Sequence, residues 1–377
     1  MEETVTLNNK KPERNSAFEI LRLIAIIFII AHHFANHGGF NFGALEQTSL
    51  VVFNKTWMDF IQQLGKVGVN LFVLISAFFL IDNTRFRARK FLSLLLQMLT
   101  FSIILGVAFF YVNEREFDIP WLKSILFPFG SSAWWFMTNY LILYLLSPLL
   151  NLGLRAMNKK AHLILIIVFL VIWSVLPTLI QKNYEFTFLG WFITLYLIGS
   201  YIKIYDISLK MKPWLGIILS VGIFLFWFMI KFIFGYYYHG NNYYLTRMLN
   251  WFRLIDINNS VQVLATIIMF LSFKDIKMKS IKAINFVAAT CLASYLFHDH
   301  GEVRHYLWFD LFKNATWSTS PYLFLYSIGV ILLVFVAGII IGIVYKYTFG
   351  LAYNALLNVL DKKCLYKIDE AFNKPKE

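Results

Sequence analysis

Ten separate runs of apolar residues, each near twenty residues long, constrain this chain more than any other feature. A hydrocarbon core about 30 Å thick takes about 20 residues of α-helix. Lipid offers no water to unpaired backbone groups, so runs of this kind must be helical. They fall at 17–36, 58–81, 91–112, 134–153, 161–180, 188–205, 214–234, 259–273, 283–298 and 321–345. The eighth and ninth are short, and the ninth can extend as an irregular or re-entrant segment through His300. The expected fold is all-α, a polytopic transmembrane helix bundle of about ten spans, forming a single domain over 1–377. A polar N-tail (1–16) and a C-tail (346–377) flank the bundle (17–345).

Basic residues give the bundle a direction. With the N-terminus inside, 23 of the 34 Lys and Arg fall in inner segments, eight in outer segments and three (Arg22, Lys66, Lys231) within spans. The bias alternates correctly through every loop, which is the positive-inside pattern. It implies an even number of spans, with both termini cytoplasmic and the protein in the cytoplasmic (inner) membrane.

Composition agrees with lipid as the solvent. Only 15% of residues are charged and 59% are hydrophobic, whereas a soluble domain carries about 25% charge. The net charge of +13 would suggest nucleic acid in a soluble protein. Here the cations sit in short loops between spans, so topology explains them and no nucleic-acid partner is expected. Cys291 lies in an apolar run and Cys364 in the basic tail, on different sides, so no disulfide is expected. The first apolar run has no small-residue cleavage site behind it and reads as an uncleaved first span.

Seven of the eight histidines fall at outer span ends or in outer loops: His32, His33, His37, His239, His298, His300 and His305; only His162 is inside. Histidine is the usual general base near neutral pH, so chemistry is expected in the outer half. The first run is the most informative. It holds Arg22, an intramembrane cation of the kind that faces a bundle interior or a wet cavity. Eleven residues on is His33, within about 20° of the same helix face and about 16 Å away along the axis. Glu19 shares that face and is placed to pair with Arg22; His32 points about 100° away. The plainer alternative is that Arg22 snorkels to the inner interface and His33 caps the outer end.

In the second run Gly65, Gly68, Ser76 and Ala77 allow close helix approach, and Asn70 is placed to bond across the bundle. The basic run Arg85, Arg87, Arg89, Lys90 follows on the inner side; it anchors topology and, as a cluster, suits phosphates. Trp134 and Trp135 suit the outer interface, and Asn139, Tyr140 and Tyr144 add polar groups along the fourth run. His298, Asp299, His300, Glu302 and Arg304 gather at the end of the ninth. No spacing among them specifies a metal site, and no metal is expected.

Taken in order, four stretches resemble the acyltransferase-3 family of membrane acyltransferases. They are EILRLIAIIFIIAHH, with its Arg, ten residues and His (Arg22, His33); GKVGVNLFVLISAFFL; WWFMTNYLILYLLSPLL; and SYLFHDH. The resemblance covers nearly the whole chain, and no appended SGNH esterase-like domain accompanies it. It implies O-acylation, usually acetylation, of an extracytoplasmic carbohydrate from cytosolic acetyl-CoA. On that reading His33, Arg22 and Glu19 are the catalytic candidates. Arg22, Arg85, Arg87 and Arg89 bind the donor. Trp134, Trp135, Tyr140, His298, Asp299 and His300 bind the acceptor. His33 is expected as general base, with Asn70, Ser76 or Tyr140 as oxyanion partner. The competing expectation is a transporter or flippase for a lipid-linked sugar, its path lined by Arg22 and His33.

Overall fold

The computed structural model describes residues 15–180, 186–238 and 256–373, with nothing said of the Phe372 side chain. Most of the N-tail, Lys182, His239, Arg247 and Arg253 lie outside the described residues. The described chain is all-helical, with no strand among these residues. Seven helices are long and apolar enough to cross a membrane: α1 (Ser16–His37), α2 (Ser49–Leu80), α3 (Ala88–Val112), α5 (Trp135–Ala156), α6 (Lys159–Ile180), α8 (Pro213–Tyr238) and α13 (Leu323–Tyr347). A short α4 (Ile119–Leu126) lies between α3 and α5.

The other three expected spans come out shorter. They are α7 (Phe188–Ile204), α9 (Ser260–Asp275), and a ninth segment split into α10 (Lys282–Ala288) and α11 (Cys291–His298). Beyond it α12 (Gly301–His305) continues as a π-turn. The expected C-tail is structured, forming α14 (Phe349–Leu360) and α15 (Tyr366–Asn373).

Helix starts follow from local chemistry. Asn15, Thr48, Asp118, Asn158, Thr187 and Asn259 each turn a side-chain oxygen onto a free N–H of the first turn of α1, α2, α4, α6, α7 and α9. Thr48 starts α2 nine residues ahead of its apolar run. The extra turns are tolerated because their polar groups pair inside the protein. Asn54 donates to the Ser318 and Ser320 carbonyls, and Asp59 forms an ion pair with Lys231 of α8. Pro148 within α5 removes the N–H that would bond the Tyr144 carbonyl. The Ser147 hydroxyl donates to that carbonyl instead, at 2.8 Å.

The bundle is built around α1 and α2. Their close approach depends on missing side chains: a Cβ on Gly65 would lie 2.1 Å from the His32 Cβ, and one on Gly68 2.5 Å from the Ala25 carbonyl. About 72% of the apolar core of α2 is buried, against 17% for α6 and α8. Those outer helices show Leu219, Leu225, Phe226, Ile164 and Ile167 outward, as lipid-facing helices do. A second small-residue seam sets the site. Gly338 and Gly342, one turn apart on α13, leave room for Ser294 and Thr290 of α11. The seam holds α11 beside α1, with the Cys291 thiol against the Arg22 carbonyl and His298 against His33. The two helices therefore run parallel.

Candidate functional site

The parallel α1–α11 pair carries charge at one end and imidazoles at the other. At the first end Arg22 reaches back one turn to Glu19, Nη1 to Oε1 2.5 Å, with the Glu19 side chain buried. Its guanidinium also lies over the Phe79 ring, 5.8 Å from the centroid. Phe79 ends α2, so Arg22 lies at the same end of the bundle as the basic loop after it.

In that loop Arg85 and Arg87 are exposed, and Arg89 makes a 3.7 Å contact with Asp361. The loop is held by the chain's own C-terminal helix. The Asp369 carboxylate accepts from the Ala88 N–H at 2.7 Å, and the Asn373 side chain from the Phe86 N–H at 2.9 Å. Lys90 lies over the Tyr144 ring, whose hydroxyl donates to the Arg87 carbonyl.

At the other end His33 is buried in contact with Asp299, which follows directly on α11. Nε2 of His33 lies 3.5 Å from Oδ1 of Asp299, and Arg304 Nη1 lies 3.5 Å from the same oxygen. His298 packs on the His33 ring, with centroids 5.0 Å apart. Its Nδ1 lies 2.6 Å from the Ser294 carbonyl. A carbonyl only accepts, so His298 carries its proton on Nδ1 and presents a lone pair at Nε2. With Nε2–H of His33 toward Asp299, its Nδ1 also presents a lone pair. Both of these nitrogens are buried without a hydrogen-bond partner among the described residues.

Asp299 and His300 lie just past the span. Burial pushes the Asp299 carboxyl up to about 6, with Arg304 and Tyr295 beside it acting the other way. Burial pulls His300 down to about 4, so it is neutral near pH 7.

The remaining candidates divide. Trp134 joins this end, its ring 5.4 Å from His300. Tyr140 stacks on Phe136, and Phe136 meets Tyr295 edge-on. Trp135 lies apart, turned onto Phe188 of α7 with centroids 4.3 Å apart. Asn70 is committed to structure, donating to the Ile257 carbonyl at 2.8 Å and accepting from the Trp191 indole at 3.0 Å. These bonds occupy its oxygen and one of its two amide N–H groups. His32 donates to the Gln62 carbonyl. His162 meets the Leu197 carbonyl at 3.1 Å.

His33, His37 and Asp299 do bring three potential metal-ligand atoms within 4.8 Å of one another. Arg304 Nη1 is 3.4 Å from His37 Nε2 as well as 3.5 Å from Asp299. A metal there would face a fixed guanidinium, so the cluster suits proton transfer better than cation binding. Arg304 is the participant that sequence reasoning left without a role. Its signal was a lone cation six residues beyond His298, among outer histidines.

This arrangement places a buried imidazole 3.5 Å from a buried carboxylate, on a membrane helix whose far end holds the half-buried Arg22 against the buried Glu19. No curated protein and no solved structure matches the chain. A family model described as an acyltransferase domain does match, over residues 15–344. That range runs from the start of α1 into the last turn of α13 and takes in both ends of the α1–α11 pair. The chain is thus a multi-pass membrane protein belonging to the acyltransferase-3 family.

Proposed function

We propose that the protein moves an acetyl group from cytosolic acetyl-CoA to a hydroxyl of a cell-surface or lipid-linked carbohydrate. The observation that carries this reading is His33, buried with its Nε2 3.5 Å from Asp299 and its Nδ1 without a hydrogen-bond partner among the described residues. A sugar hydroxyl is a poor nucleophile until its proton is removed. In the proposed reaction Nδ1 of His33 takes that proton as the oxygen attacks the thioester carbonyl. The C–S bond breaks, CoA leaves as the thiolate, and His33 returns the proton to sulfur. The ester and free CoA are the products. Asp299 keeps His33 in the Nε2–H tautomer and balances the imidazolium that forms, without itself taking the proton.

Arg22 sits about 16 Å along the same helix. It is assigned to the donor, where its guanidinium meets CoA phosphate or pantetheine oxygens. Arg85, Arg87 and Arg89 belong to the same donor mouth. His298, Trp134 and His300 belong with the acceptor, and Asn70, Ser76 and Tyr140 are the oxyanion candidates. The positive-inside bias supports placing the Arg22 end in the cytoplasm of a bacterial-type inner membrane.

The pH profile tests the dyad. Orientation of His33 requires Asp299 ionised, and its carboxyl titrates near 6. Release of CoA by the purified protein should therefore fall as pH drops through about 6. Asp299→Asn keeps the shape and removes the charge, so it should lower the rate by about 10–10³-fold and abolish that limb. A rate independent of pH across this range would sink the Asp299 role.

A further inference from the structure

Beside the His33 cluster lies a cavity of about 390 Å³, walled by Ser102 of α3, by Arg115 just beyond that helix, by α4, by residues 131–134 and by His300 with α12. Of its lining, the sequence had marked Trp134 and His300 as acceptor candidates and Glu302 and Arg304 as neighbours of His300. Its floor is aromatic: Trp121 and Trp134 are both more than nine-tenths buried. Each indole N–H lacks a hydrogen-bond partner among the described residues. An unpaired buried N–H costs about 1–3 kcal/mol, so a ligand acceptor that reached either indole nitrogen would be favoured.

The rest of the wall describes that ligand. Arg115, Arg304 and Glu302 are its ionised groups, two cations to one anion, and His300 is neutral. Arg115 is paired with Glu302, which Asn113 also holds at 2.9 Å. Arg304 reaches Asp299 at 3.5 Å and His37 at 3.4 Å, both through Nη1, which leaves most of its five donors unused. Asp299 lies behind it and is not part of the wall. Ser124 and Ser131 donate to backbone carbonyls and leave hydroxyl lone pairs to the cavity. The wall thus offers flat indoles, serine oxygens for ligand hydroxyls, and cationic and indole donors for ligand oxyanions. A pocket of this size suits roughly one to two sugar rings.

We propose that this cavity is the acceptor subsite and that it takes a sugar residue bearing a carboxylate or phosphate. Trp121, Trp134, Arg115 and Arg304 set its specificity. The inference rests on the acyltransferase reading above and deepens it by naming the acceptor class. Arg304 joins the two sites, since one guanidinium borders both the cavity and the carboxylate that orients His33. A sugar anion drawing Arg304 toward the cavity would leave Asp299 to His33 alone.

The test is equilibrium binding to the purified full-length protein in detergent, without acetyl-CoA. Three probes are compared: a glucuronate-containing disaccharide, glucose 1-phosphate and a neutral glucose disaccharide. Either acidic probe should bind about 10-fold or more tighter than the neutral one, since charge-assisted bonds contribute about 1.5–3 kcal/mol. Preference for the first acidic probe identifies a carboxylate, and preference for the second a phosphate.

Trp121→Phe keeps the ring and loses the N–H, and should weaken the preferred probe about 5-fold. Arg115→Gln should reduce the acidic preference while the thermal unfolding midpoint stays near wild type. Equal binding of all three probes, or none, would overturn the inference, as would a Trp121→Phe protein that binds like wild type. Because the assay needs no donor, acidic binding in a protein that never releases CoA would keep the subsite and remove the acyltransferase reading. CoA release without acidic preference would do the reverse.

Discussion

Replacing His33 by Ala is expected to lower acyl transfer by about 10²–10⁴-fold at matched protein abundance. The size follows from where the ring sits. His33 is buried, Asp299 lies 3.5 Å from its Nε2, and its other nitrogen has no partner among the described residues. Substitution removes the base and leaves Asp299 with Arg304 and Tyr295. The nearest substitute is Nε2 of His298, whose ring centroid lies 5.0 Å away but which has no carboxylate behind it. Residual activity should therefore trace to His298 and vanish in the double variant. Residues that act as a unit give non-additive losses, so adding Asp299→Asn to His33→Ala should lower the rate little further. Initial rates with labelled donor, alongside thermal unfolding to confirm folding, check both statements. Full activity in folded His33→Ala removes this residue from the mechanism.

Arg22→Ala should act at the opposite end and on a different constant. Charge-assisted bonds to phosphate or amide oxygens contribute about 1.5–3 kcal/mol, so KM for the acyl-CoA should rise about 10–100-fold. Arg22→Lys keeps the charge and loses the planar fork, and should fall between wild type and Ala. The Glu19 carboxylate, buried and 2.5 Å from this guanidinium, loses this partner in Arg22→Ala, so thermal unfolding is measured beside the kinetics. Steady-state kinetics over donor concentration separates these outcomes. An unchanged KM in Arg22→Ala would end the donor assignment.

How far the sequence revealed this arrangement depended on whether a residue's place is set within one helix. The Arg22–His33 alignment and the Glu19–Arg22 pair were legible because α1 is continuous, and helical geometry alone fixes which of its residues share a face. The close approach of α1 and α2 was legible in Gly65 and Gly68. By contrast, the meeting of His33 with His298 and Asp299 needs α11 to lie parallel to α1. That placement comes from the Gly338–Gly342 seam of α13, far off in sequence. Trp134 and Trp135 looked alike as interfacial aromatics. Trp134 is the extended residue just before α5 and Trp135 its first helical residue, and only the packing shows that one meets His300 while the other meets Phe188.

Two further differences have similar causes. The ninth run holds no Pro or Gly, yet its helix breaks at Ala289–Thr290. The break is set where Thr290 faces Gly342, not by local propensity. The C-terminal segment is too polar to read as a span. Its amphipathic pattern instead buries Leu357 and Leu365 and brings Asp369 to the start of α3. That contact ties the chain's end to the basic loop assigned to the donor.

Sidedness gives the sharpest measurement. Purified protein is reconstituted in vesicles with acetyl-labelled acetyl-CoA on the side of the Arg22 end and an acidic oligosaccharide on the other. Transfer through the bundle predicts free CoA accumulating on the donor side and label appearing as an ester on the saccharide opposite, with both lost in His33→Ala. Label remaining on CoA while a lipid-linked sugar crosses the membrane would contradict it and establish a transporter instead.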